Sequence, residues 1–90
     1  MLESKIEDYL VKKVEAAGGE VRKLQWIGRR GAPDRLVMLK GAHFVELKRP
    51  GRELDDHQDR EISRMISHNI SVCKLDDLHQ VDEFIRIITA

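Results

Sequence analysis

Three side chains suited to phosphate chemistry lie close together in this chain: Asp34 in Gly31-Ala-Pro-Asp34, and Glu46 and Lys48 in Glu46-Leu-Lys48. Between them, Leu36-Val37-Met38-Leu39 and Phe44-Val45 flank Lys40-Gly41-Ala42. A glycine between two such apolar runs is a hairpin signal. A turn centred on Gly41 sets position 34 opposite 48 and 36 opposite 46. Side chains that oppose one another, or lie two apart on a strand, share a face of the sheet. Asp34, Glu46 and Lys48 are therefore expected to project together. Mg2+ or Mn2+ takes one or two carboxylates and completes its shell with water and substrate phosphate oxygens. Asp34 and Glu46 are the candidate metal ligands, with the Leu47 backbone carbonyl as a third oxygen. Lys48, as an ammonium, cannot coordinate. It can orient or help deprotonate an attacking water and offset charge on a pentavalent phosphorane. This division of labour suits phosphodiester hydrolysis. It depends on register, because a slip of one residue sends one strand's set to the other face.

The formal net charge is zero, which taken alone argues against a nucleic-acid partner. The distribution reverses that argument. Residues 22–52 carry nine Lys or Arg against Asp34 and Glu46, a net +7, while residues 1–21 and 53–90 carry −2 and −5. The positive charge surrounds the two carboxylates and would attract a polyanion such as a DNA backbone. Arg29, Arg30, Arg35, Arg49 and Arg52 are the candidate DNA contacts.

Periodicity supplies the elements that must hold these groups. Ser4 to Glu7 reads as a capping box that opens a helix, with Ile6, Leu10, Val14 and Ala17 on its inner face, and Gly18-Gly19 ends it. Glu20 to Leu24 is a short strand. Trp26 to Ala32 is a basic loop, and Pro33 keeps that loop from continuing as helix. The hairpin follows, then a turn-rich exit at Arg49-Pro50-Gly51-Arg52. Asp55 and Gln58 form a second capping box for a helix with Ile62, Met65 and Ile66 inward. Asn69 is expected left-handed at its end. Ile70 to Leu75 alternates as a fourth strand, and Asp76 or Asp77 caps a last helix with Leu78, Val81, Phe84, Ile85 and Ile88 inward. The order is α-β-β-β-α-β-α in one domain, residues 1–90. The crossover through the second helix makes the third and fourth strands parallel, and helices are expected on both sheet faces.

Glu7 and Gln58 each have two readings, as helix caps or as supports to the metal. His43, His57, His68 and His79 have no zinc-ligand spacing with Cys73 and read as surface or cap residues. The serines lack any triad context. Cys73, the only cysteine, reads as a small apolar filler and fits a reducing, cytoplasmic setting. Trp26 is either a core anchor or a platform for a base. No apolar run approaches the ~20 residues needed to cross a bilayer, and the N-terminus lacks a signal-peptide shape.

Taken together, Ile6-Glu7, Gly31-Ala-Pro-Asp34, Val45-Glu-Leu-Lys48 and Leu54-Asp-Asp-His-Gln58 resemble the PD-(D/E)xK nuclease superfamily, and within it the virus-type replication-repair nuclease (VRR-NUC) family. The resemblance spans nearly the whole chain. It implies an α/β, restriction-endonuclease-like αβββαβ core with a mixed four-stranded sheet, here followed by a C-terminal helix. It implies a divalent metal at Asp34 and Glu46, a catalytic lysine at Lys48, and supporting roles for Glu7 and Gln58. The chain looks like a stand-alone member of phage or bacterial type, resembling Holliday-junction resolvases in size. Two symmetric cuts need two sites, which a two-fold homodimer supplies. A flap-, nick- or single-strand-directed nuclease and a non-catalytic DNA-binding module are the alternatives.

Overall fold

A computed structural model describes all 90 residues. Seven elements run in the expected order: α1 (Glu3–Ala16), β1 (Glu20–Lys23), β2 (Arg35–Met38), β3 (Ala42–Leu47), α2 (Asp56–Ser67), β4 (Val72–Leu75) and α3 (Leu78–Ile88). The strands form one mixed sheet in the order β1-β2-β3-β4. The first two pairings are antiparallel, and β3 and β4 are parallel. This is the α/β architecture expected, with a four-stranded sheet between helices.

Side-chain alternation divides the sheet into two faces. Val37, Val45, Leu47 and Leu75 meet Ile6, Leu10 and Val14 of α1 and Val81 and Phe84 of α3, and these residues form the main core. α2 packs on the other face through Ile62 and Met65. There Trp26 lies against Phe44 of β3, with ring centroids 6.2 Å apart. Ile66, expected inward, is 55% exposed, and its place among the buried α2 residues is taken by Glu61. Cys73 is partly buried against the core, and burial pushes its thiol up to about 11. A filler role accounts for it.

The β2–β3 hairpin departs from the expected register by two residues. Arg35 pairs with Val45 and Leu36 with Phe44, so one step further Asp34 comes level with Glu46 rather than with Lys48. The cause is the turn. Lys40 as well as Gly41 takes positive φ (49° and 116°), and the Leu39 N–H donates to the Gly41 carbonyl at 3.0 Å. The reversal thus pivots one residue earlier. Because the shift equals the side-chain period, both carboxylates keep their shared face.

Two smaller expectations are corrected, and a third is narrowed to one of its two alternatives. Ser4 does not cap α1. The helix starts at Glu3, with Leu2 extended before it and no side-chain cap, so Ser4 is already inside the first turn. β4 starts at Val72 rather than Ile70, because the Ile70 N–H is still committed to the α2 exit through the Met65 carbonyl, after Asn69 at φ 61°. Asp77, not Asp76, caps α3, accepting from the Gln80 N–H at 2.7 Å.

Two glycines are required by close approach. A Cβ at Gly19 would lie 2.6 Å from the Met38 carbonyl oxygen, where the chain leaves α1 across β2. A Cβ at Gly31 would lie 2.5 Å from the His57 carbonyl oxygen, and Gly31 also sits at φ +90°. Gly31 therefore lets the basic loop press directly on the start of α2.

Candidate active site

Pro33 is fully buried and fixes the chain immediately before β2. The Asp34 carbonyl then accepts from the Leu24 N–H at 3.0 Å, and its side-chain Oδ1 accepts from the Leu47 N–H at 3.2 Å. The second bond crosses the hairpin and holds the Asp34 carboxyl beside the end of β3. Glu46 is on that end, only 5% exposed although it is an acid. Lys48 extends the β3–β4 pairing by donating its N–H to the Leu75 carbonyl at 3.1 Å. Its Nζ lies 3.8 Å from Glu46 Oε2, with the side chain 11% exposed. The structure brings Asp34, Glu46 and Lys48 together at one strand end.

Gln58 joins them: it caps its helix and also touches Glu46. Its Oε1 accepts from the Asp55 N–H at 3.0 Å, as a cap should, while its Nε2 donates to Glu46 Oε2 at 3.1 Å. One amide has separate donor and acceptor ends and can serve both partners.

Glu7 and Arg35 are placed differently from the sequence expectation. Residues 34 and 35 point to opposite faces of the sheet, so Arg35 turns toward α1. There its guanidinium binds the Glu7 carboxylate. Its Nη1 also donates to the Asp34 carbonyl at 2.9 Å and lies 3.6 Å from Asp34 Oδ2. Arg35 has a side chain only 12% exposed and is no free DNA contact; it is the internal counter-charge of Glu7 and Asp34. Glu7 caps nothing and is occupied by Arg35. Strand alternation carried part of this signal, because a residue next to Asp34 must face the opposite side of the sheet; that α1 and Glu7 lie on that side is set by the fold. Arg29, Arg30, Arg49 and Arg52 are exposed, in the loop before β2 and the loop after β3.

Electrostatics mark the pair of carboxylates as short of positive charge. Burial raises the Asp34 carboxyl, and the Leu47 hydrogen bond and Arg35 only partly oppose it. Glu46 is pushed up from 4.5 to about 7, first by burial, then by repulsion from Asp34, against the pull of Lys48. No three His, Cys, Asp or Glu side chains converge anywhere in the fold, so a metal cage built only of side chains is absent. Two crowded carboxylates fit a hard cation that keeps water and substrate oxygens in its shell. They do not fit zinc in a closed structural site.

Sequence reasoning missed Glu61. Its side chain is 9% exposed and takes the Trp26 Nε1–H at 2.7 Å and the Arg64 Nε–H at 3.0 Å. Burial pushes its carboxyl up, but the bonds from Arg64 and Trp26 outweigh that and hold it below its ordinary value. No helix is long and apolar enough to cross a membrane.

A mixed sheet, helices on both faces, and two carboxylates with a lysine at one strand end define a restriction-endonuclease-like α/β domain. Comparison with known proteins narrows the class. No family model matches the chain. "Putative nuclease p44" of Acyrthosiphon pisum secondary endosymbiont phage 1 is 40% identical over 83 residues, covering 88% of this chain and 89% of that protein. A solved structure described as "VRR_NUC domain" superposes with a TM-score of 0.85 at 39% identity, covering 93% of this chain and 94% of its own. The chain belongs to the VRR-NUC family.

Proposed function

We propose that this domain is a divalent-metal-dependent endonuclease that hydrolyses DNA phosphodiester bonds, with branched DNA, and four-way junctions first, as its substrate. The observation that carries the reading is the meeting of Asp34 and Glu46 beside Lys48. Buried carboxylates aimed at a phosphate backbone repel it unless a cation lies between them. A binding module has no use for such a pair. The solved VRR-NUC structure and the phage nuclease support the nuclease part of this reading.

Asp34, Glu46 and the Leu47 carbonyl would hold Mg2+ or Mn2+, which supplies Lewis acidity and neutralises phosphate charge when bound. The protein side chains do the rest. Gln58 fixes the carboxylate plane of Glu46 through Oε2. The Leu47 N–H fixes Asp34 through Oδ1, so Oδ2 is the oxygen left to face a cation, with Arg35 Nη1 alongside. Lys48 Nζ, held by Glu46, is placed to orient the attacking water and to stabilise negative charge as it develops on the phosphoryl oxygens. Arg29, Arg30, Arg49 and Arg52 flank this point with exposed positive charge, which guides the backbone toward it. Each chain has one such centre, so paired cuts in a junction require two chains related by a two-fold axis.

The test is cleavage of a labelled immobile four-way junction beside matched duplex, flap, nicked and single-stranded DNA, in Mg2+ or Mn2+, with Lys48→Ala as control. Paired symmetric cuts that vanish in Lys48→Ala are expected. Cutting restricted to flaps, nicks or single strands would retain the chemistry and discard the junction. DNA retention with no metal-dependent cutting of any substrate would contradict the enzyme.

A further inference from the structure

A second charged site is built on α2, the helix that brings Gln58 to Glu46. Between the loop after β1 and helix α2 is an open hollow of ≈ 380 Å3 lined by Gly28, Arg29, Arg30, His57, Arg60 and Arg64, with no apolar side chain. His57, Arg60 and Arg64 recur at i, i+3 and i+7, which is one face of a helix. Gln58, Ile62 and Met65 form the face turned to the sheet. Asp56 and Asp59 of the same helix do not line the hollow.

Glu61 forms its foundation. It ties Trp26 of the loop to α2, keeps Arg64 Nη2 at 2.9 Å and holds Arg29 Nε at 3.6 Å. One carboxylate therefore positions two guanidiniums, while Arg30 and Arg60 pair with no carboxylate at all. Four guanidiniums against one carboxylate leave a concave surface with net positive charge. Gly31, pressed on the His57 carbonyl, fixes the loop against the helix from the other end.

We propose that this hollow seats a non-scissile backbone phosphate of the DNA strand that crosses Asp34 and Glu46. The inference rests on the nuclease reading for the path of that strand. Guanidinium forks match phosphate oxygens in geometry and charge. Position fits as well: His57 adjoins Gln58, which touches Glu46, and Arg60 and Arg64 lie about 3 and 9 Å further along the helix axis at 1.5 Å per residue. The hollow is an anchor that sets where the strand enters the site. Its residues touch the backbone and read no base, so their effect is the same for every sequence.

The experiment uses the full chain carrying Asp34→Asn, which keeps the acceptor for the Leu47 N–H but leaves labelled DNA uncut. Binding to a fluorescent four-way junction is followed by anisotropy between about 50 and 200 mM salt, a range over which phosphate-dependent affinity falls by orders of magnitude. Adding Arg60→Ala and Arg64→Ala is expected to weaken binding about tenfold or more at the low end. The slope of log K against log salt should shallow by about one for each phosphate that is no longer neutralised. Lys12→Ala, on exposed α1, is the control and should leave the slope in place. Arg60 is exposed and unpaired, so its truncation alone leaves the fold intact and should give a partial loss in the same direction. An unchanged affinity and slope in both Arg60→Ala and the double variant, with the Asp34→Asn parent binding DNA, overturns the anchor and leaves the nuclease standing. A wild-type chain that neither cuts nor retains DNA removes both.

Discussion

The side-chain amide of Gln58 caps its own helix with its oxygen and holds Glu46 with its nitrogen, at 3.0 and 3.1 Å. A single residue thus joins the start of α2 to the acid at the end of β3. The arrangement makes the helix terminus part of the site, so stability and activity are coupled there.

Gln58→Ala removes both hydrogen bonds. Without the cap, stability should fall by about 1 kcal/mol. Freeing the Glu46 carboxylate should lower metal affinity or cleavage by about 10- to 100-fold, as expected for a group that orients a ligand. Thermal unfolding and single-turnover cleavage read the two effects separately. Asp55→Ala serves as the comparison, since it truncates the other half of the capping box while leaving the Asp55 N–H for Gln58 and the Gln58–Glu46 bond, and it should leave the cleavage rate close to wild type.

Glu46 also dictates a pH dependence of the metal-free chain. Its folded value, about 7, lies above the ordinary 4.5. The folded state therefore binds more protons than the unfolded one between those pH values. Its stabilising contribution is complete below about pH 4.5 and is lost as pH rises through about 7. The melting temperature in EDTA should fall across this window, and Glu46→Gln should flatten the fall. Mg2+ at saturating concentration should oppose it by favouring the ionised pair.

The Glu7–Arg35 pair is expected to be structural. Glu7→Gln keeps an acceptor for the guanidinium and should cost little stability, whereas Arg35→Ala removes the bond to the Glu7 carboxylate, at about 1.5–3 kcal/mol, together with the bond to the Asp34 backbone carbonyl. Chemical denaturation measures both. Metal affinity of Glu7→Gln should remain within a few-fold of wild type. A large drop would place Glu7 on the metal instead.

Gly31→Ala places a methyl group where only 2.5 Å separates it from the His57 carbonyl oxygen, at a backbone φ of +90°. A non-glycine residue in that region costs about 1–3 kcal/mol before the clash is relieved. The variant should melt lower and lose DNA affinity as well, since the loop and α2 can no longer meet. Melting and anisotropy together check this.

Much of the site was legible because the decisive property is parity. Asp34, Glu46 and Lys48 occupy even positions on two adjacent strands or one residue beyond them, and a two-residue shift in the turn at Lys40 leaves that parity unchanged. The element order was legible for the same reason, from periods of two and of about 3.6. What escaped was set by tertiary contact. Nothing local distinguishes a Glu7 that caps from a Glu7 that meets Arg35 across 28 residues. Glu61 has the local pattern of a solvated helix position, and only Trp26, 35 residues away, makes it otherwise. The capping motif misleads at the first helix because Leu2 extends and Glu3 starts the turn, so the Ser4–Glu7 spacing meets no free end.

The most direct measurement is calorimetric titration of Mn2+ into the wild-type chain and into Glu46→Gln, near the Glu46 value of about 7, in two buffers of different ionisation enthalpy. We expect one Mn2+ per chain, with release of about half a proton from the half-protonated Glu46. Glu46→Gln should lose the proton release and most of the affinity. Equal affinity in the two proteins, or no binding by wild type at millimolar Mn2+, would contradict the claim that Asp34 and Glu46 form the metal centre of this domain.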